Sequence, residues 1–194
     1  MDVLAAIGLA TEAPHPTDLR KERIMKKHNI ITPTMYRTII SQVIYMAIVM
    51  LTLLYAGPTM FGIEYNLISG DLYNSDGTPA PRLLHQTLLF QTFMLMNIFN
   101  MFNCRVLTSE EAKEYNVFSR LYSNWWFLII LLFELNVQVA IAGYPSVGKI
   151  FGTTPLTFAM HMTAIGAGLF TFVVAAIAKA TPDSWLESFP KVPE

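Results

Sequence analysis

The sequence predicts an all-α fold: an integral membrane helical bundle of four full transmembrane helices with a partial helix at its N-terminus. Three observations predict it. Of the 194 residues, 53% are hydrophobic and only 14% are charged, against roughly 25% charged in average soluble domains. Four apolar stretches each approach the roughly 20 residues that a helix needs to cross the hydrocarbon core of a bilayer. Lysine and arginine also alternate in density from one connecting segment to the next, as they do when successive loops face opposite sides of a membrane.

The partial helix is residues 1–10, "MDVLAAIGLA". Ten helical residues rise about 15 Å, roughly half the hydrocarbon thickness, so a membrane-like helix begins midway with the carboxylate of Asp2 at its broken end. A secretory signal peptide would carry a basic residue before the apolar run, and Asp2 stands there instead. Residues 1–38 mix Glu12, Asp18 and Glu22 with basic residues, which does not suit an acid-poor transit peptide.

The first full span is 36–56, closed by Gly57-Pro58; the second, 83–102, is much more polar; the third and fourth are 125–142 and 157–178. The segment between the first two is rich in Gly, Pro, Asn and Asp, and its "SDGT" reads as a turn. With no internal repeat and no low-complexity tract, residues 1–194 are expected to form a single membrane domain.

Orientation follows from basic residues. Residues 11–38 hold Arg20, Lys21, Arg23, Lys26, Lys27 and Arg37, and the next loop holds Arg82 alone. Then come Arg105, Lys113 and Arg120, next Lys149, and last Lys179 and Lys191, so that 11 of 13 fall on one side. The positive-inside rule makes that side cytoplasmic or its equivalent, with the C-terminus there and Trp125 and Trp126 at the inner interface. The same pattern suits a plasma membrane, an internal membrane or the mitochondrial inner membrane.

Polar groups within spans are costly and usually face a protein interior or a watery path. The second span holds His85, Gln86, Thr87, Gln91, Thr92, Asn97 and Asn100, with Asn103 just beyond. Asn97, Asn100 and Asn103 recur every three residues and share a drifting face. Their carbonyl oxygens suit hard cations; equally, they suit hydrogen bonds to neighbouring helices. In the third span Glu134 reads either as a proton or ion ligand or as a carboxyl that is paired or kept protonated by burial. His161, in the fourth span, reads as a packing or hydrogen-bonding group. Asp2, taken alone, reads as an interfacial carboxylate near a helix start.

Several functions are excluded. A net charge of −1 supplies no basic excess for nucleic acid. The single cysteine, Cys104, forbids an internal disulfide, and with four scattered histidines it offers no zinc-ligand spacing. The chain has no phosphate loop, no glycine-rich dinucleotide fingerprint and no G-x-S-x-G elbow.

Three motifs carry a resemblance. "MDVLAAIGLATEAP" resembles the end of the sixth transmembrane helix of P-type calcium-transporting ATPases of the plasma-membrane type. "ITPTMYRTIISQVIYMAIVMLTLLYAG" is similar to the seventh helix with its preceding loop. "HQTLLFQTFMLMNIFNMFNCR", followed by "NVFSRLYSN", resembles the eighth helix and the loop after it, and is the most specific of the three. "VQVAIAGYP" and "AIAKATP" fit the ninth and tenth helices less strongly.

The resemblance implies a metal role for two residues: Asp2 falls on a cation-ligating carboxylate of the family. Asn97 falls where reticulum-type pumps carry a calcium-binding glutamate and plasma-membrane types a glutamine, a departure that suits one calcium site and weakens Asn97 as a ligand. Calcium binding would need helices absent from this sequence, and ATP and magnesium would bind domains also absent, with the Asp-Lys-Thr-Gly motif and the actuator loop. No catalytic or cofactor-binding residue is expected in this chain, which should not hydrolyse ATP alone.

The expected function is thus the C-terminal membrane part of a calcium pump, as a fragment or a truncated gene product, bracing the ion-binding core. Its expected partners are the lipid bilayer and the missing N-terminal part of the pump or other membrane subunits. The alternative is a non-catalytic pump relative serving as a structural subunit of a larger membrane complex. An independent channel around the second span has no pore motif to support it.

Overall fold

A computed structural model describes residues 2–11, 33–64, 71–105 and 124–181. Met1, segments 12–32, 65–70 and 106–123 and the tail 182–194 lie outside these, and with them most of the basic residues used above for orientation.

Among the described residues six helices form in chain order: α1 (Asp2–Ala10), α2 (Pro33–Phe61), α3 (Pro81–Arg105), α4 (Trp125–Gly143), α5 (Pro145–Phe151) and α6 (Phe158–Ala180). Among the described residues there is no strand; a lone bridge pairs Tyr73 with Pro79. It closes the turn over "SDGT", where Gly77 takes a left-handed φ of 73° and donates to Asn74 O at 2.9 Å. The fold is all-α.

Among the described residues three helices are long and apolar enough to cross a membrane: Met35–Phe61, Trp125–Gly143 and Phe158–Ala180. The expected count was four. Helix α3 has the length, 25 residues or about 38 Å, but its polar side chains keep it from qualifying on composition.

Helix ends follow local chemistry. Helices α3 and α5 begin with proline at the first helical position, where a missing N–H costs no hydrogen bond and φ is preset. Asn124 caps α4, its side-chain oxygen accepting from Phe127 N at 3.1 Å and satisfying an orphan donor of the first turn. Helix α2 does not stop at Gly57-Pro58. It continues to Phe61 and ends where Gly62 turns left-handed (φ 63°) and Ile63 N donates to Pro58 O at 2.8 Å. That is a Schellman closure, and Pro58 sits within its final turn.

Hydrogen bonds fix the packing directions. Gln42, Tyr45 and Arg37 on α2 reach the carbonyls of Thr171, Ala167 and Thr181 at 2.9, 2.6 and 2.6 Å, so α2 and α6 run antiparallel. Thr87 meets Thr154 and Asn103 meets Thr171, so α3 and α6 run parallel. Gln91 meets Gln138, and Phe102 packs edge-on against Phe127 at 5.7 Å, so α3 and α4 are antiparallel.

The tightest approach is α3 to α6. The ring of Phe99 lies over Gly168, and a Cβ there would collide with its Cδ2. Two apolar clusters bracket the bundle. Ile98, Met101, Phe102, Phe127 and Leu131, joined by Leu9, fill the Arg105 end of α3; Ile63, Leu88 and Met160 fill the Pro81 end. Helix α2 turns Ile40, Ile44, Ile48, Leu51 and Tyr55 outward. An apolar stripe of that length, exposed on a helix of this composition, is what lipid contacts.

Candidate functional site

Helix α3 gathers the polar interior. His85, Thr87, Gln91, Thr92 and Asn103 are all buried, and buried polar groups demand partners. The His85 ring places Nε2 2.8 Å from Leu53 O on α2, under Gly57, where a Cβ would come within 2.9 Å of that nitrogen. Thr87 accepts from Thr154 N at 3.1 Å and donates to Leu83 O at 2.8 Å. Gln138 donates to Gln91 across 2.5 Å. Asn103 donates to Thr171 O at 3.3 Å and to Asn100 Oδ1 at 3.4 Å.

The three asparagines therefore part company. Asn97 is half-buried, and its amide nitrogen donates to Phe93 O at 2.8 Å, one turn back on its own helix. Asn103 reaches another helix, and Asn100 supports Asn103. Gln86 is exposed.

Asp2 is the first residue of α1, which packs along the start of α4. The Cβ position of Gly8 faces Ile130 and Phe127, Asn124 donates to Gly8 O at 3.2 Å and to Thr11 Oγ1 at 3.4 Å, and Leu9 joins the Phe102–Phe127 cluster. The two helices run antiparallel. Six residues of helix rise about 9 Å, so the backbone at position 2 lies level with residues 134–136 of α4.

From the other side, the Gln91–Gln138 and Phe102–Phe127 pairs set Leu95 opposite Glu134, with Asn97 less than a turn away. By backbone level, Asp2, Glu134 and Asn97 share one layer. Glu134 is only 2% exposed and belongs to the inward stripe of α4 with Phe127, Leu131 and Gln138. No group of three His, Cys, Asp or Glu side chains placed to hold a metal occurs among the described residues. His161 is half-buried on α6.

The layer can seat an oxygen-seeking ion only in part: a hard cation takes six or more oxygens in the case of calcium, and this level offers two carboxyl positions and an amide. The family described as "Cation transporting ATPase, C-terminus" matches residues 1–181. The chain belongs to that family.

Relatives agree. The chain is 30% identical over 182 residues to a probable calcium-transporting ATPase 8, plasma membrane-type, of Oryza sativa subsp. japonica, covering 94% of this chain and 16% of the relative. It is 31% identical over 192 residues to the plasma membrane calcium-transporting ATPase mca-1 of Caenorhabditis elegans, covering 99% and 14%. Against the plasma membrane calcium-transporting ATPase 1 of Homo sapiens it is 32% identical over 187 residues, covering 96% and 14%. The chain thus spans about one-seventh of the length of these relatives. It is similar to the membrane region of cation-transporting ATPases, and the resemblance expected from its sixth-helix and eighth-helix motifs holds.

Among the buried polar residues that escaped sequence reasoning are Gln42, Asn124, Thr153, Thr154 and Thr171. Gln42 is a lone amide inside an apolar run, and that is the only signal that singles it out.

Proposed function

We propose that this chain serves as the C-terminal membrane part of a plasma-membrane-type P-type calcium-transporting ATPase, bracing the ion-binding core and supplying part of one calcium site. The observation that carries this is the family match over residues 1–181, which takes in α1 with Asp2 at its head. The docking of α1 on α4 supports it, because it holds Asp2 at the level of Glu134 and Asn97.

In this reading calcium is the cargo. The Asp2 carboxylate contributes one ligand oxygen and offsets part of the charge of an ion that has shed its water. Asn97 is the weaker contributor, because its amide nitrogen is engaged with Phe93 O. Helices upstream of Asp2 supply the remaining oxygens. ATP and magnesium bind domains outside this sequence, and aspartyl phosphorylation there drives transport. Helix α3 is the fourth crossing: its polar side chains bond to α2, α4 and the segment leading into α6, so its polarity is spent inside the bundle. The membrane is a plasma membrane, with the Arg105 end of α3 and the C-terminus on the cytoplasmic side.

The test is ATP-driven calcium uptake into vesicles by a pump that contains this region. Asp2→Asn keeps the shape and removes the charge; uptake should fall to background while expression and size stay constant. Asn97→Ala should leave most of the uptake. Uptake by Asp2→Asn equal to that of the unaltered pump would overturn the assignment.

A further inference from the structure

One carbonyl in the bundle is shared by three helices. Thr171 O on α6 accepts from Gln42 Nε2 of α2 at 2.9 Å and from Asn103 Nδ2 of α3 at 3.3 Å. A carbonyl oxygen only accepts, so this one oxygen sets the orientation of both amides: each must turn its nitrogen toward it. The second hydrogen of the Asn103 amide goes to Asn100 Oδ1 at 3.4 Å, which fixes that group again. Both amide oxygens are consequently turned away from Thr171.

Those oxygens have no donor. Gln42 and Asn103 are 3% and 2% exposed, and Gln42 Oε1 and Asn103 Oδ1 are buried atoms with no hydrogen-bond partner. Thr171 does not answer them, since its own hydroxyl donates to Gly168 O at 2.7 Å. Buried acceptors left bare are rare, and the usual explanation is a bound water or ion.

Charge decides between the two. Helices α2, α3 and α6 carry no aspartate or glutamate at all. Near this point along the chain the closest charged residues on them are basic: Arg37 five positions before Gln42 and Arg105 two after Asn103. The buried carboxyl of Glu134 stands opposite Leu95, about two turns from Asn103. Neutral oxygens beside positive charge disfavour a cation, and oxygens cannot hold an anion. A neutral donor remains.

We propose that the junction of Gln42, Asn103 and Thr171 is a binding site for internal water, which donates to Gln42 Oε1 and to Asn103 Oδ1 and ties α2 to α3. The site is closed within this chain and is independent of the calcium-pump reading, so each stands or falls by its own test.

The test uses the full 194-residue chain in lipid. Crystals soaked in rubidium chloride should show density between the two amide oxygens with no rubidium anomalous peak. An anomalous peak there would replace water by an alkali cation, and dry oxygens would remove the site; either overturns the proposal. Infrared spectra should in addition hold internal-water O–H stretching bands that shift in H2-18O. At least one such band should be lost in Gln42→Leu and the same band in Asn103→Leu; bands identical in all three proteins would also overturn it. If neither variant folds, the crystal of the unaltered chain still decides.

Discussion

The side-chain amide of Gln138 donates to the side-chain oxygen of Gln91 across 2.5 Å, and both residues are buried. This side chain–side chain hydrogen bond joins α3 to α4. It lies between the two apolar clusters. Gln91→Leu should therefore strand the Gln138 amide in an apolar layer. The expected loss is about 1 kcal/mol, the scale of interhelical hydrogen bonds within membranes. Gln91→Leu with Gln138→Leu should lose less than the two single changes added together. Unfolding in mixed micelles, run as a double-mutant cycle, measures the coupling; strictly additive losses would mean that the pair does not act as a unit.

Gly168→Ala should be costly out of proportion to its size. The added methyl collides with the Phe99 ring at the closest approach of α3 and α6, and overpacking of this kind costs about 1–3 kcal/mol. Phe99→Leu in the same chain should recover part of it by making room. The midpoint of thermal unfolding in detergent reads both effects, and an unchanged midpoint for Gly168→Ala would show that the helices separate easily.

Gly57→Ala should displace His85. The new methyl would press on Nε2, the atom that reaches Leu53 O. Because His85 is fully buried, losing that contact leaves a polar group in the core at a cost of about 1–3 kcal/mol. The check is the stability of Gly57→Ala against Gly57→Ala combined with His85→Leu. The second variant should be the more stable, since it removes the stranded group.

Cys104 is the sole cysteine of the sequence, and it is exposed near the end of α3. It reports orientation without any engineering. A membrane-impermeant maleimide should label inside-out vesicles and spare sealed right-side-out ones. The opposite pattern would reverse the orientation drawn from the basic residues.

Much of the fold was legible because apolar runs of membrane length leave few alternatives. The polar content of 83–102 also pointed correctly to an interior helix, since amides facing lipid are expensive. Other features were hidden for identifiable reasons. Helix α5 is seven residues long, too short for periodicity to show, and its proline reads as a loop until the first-turn position is seen. The end of α2 differs from the expected one because Gly-Pro usually breaks a helix, whereas here the proline falls in a last turn that Gly62 and Ile63 close. The candidate layer was legible only as separate residues. Asp2, Glu134 and Asn97 reach one level through the α1–α4 and α3–α4 registers, which depend on contacts such as Gly8 with Phe127. Gln42 and Thr171 lie 129 residues apart, and no local pattern links them.

The setting of the Gln91–Gln138 pair between two apolar clusters has a mechanical consequence. A slide of α3 by one turn along its axis would part Gln91 from Gln138 and His85 from Leu53 O and leave buried polar groups against hydrocarbon. Axial slippage is thus penalised at both ends of its travel, much as a key is held by teeth of alternating cut. Rotation of the whole bundle about an outside pivot breaks none of these pairings. Any motion passed through these helices should travel as tilt, with α3 and its neighbours swinging together like a lever.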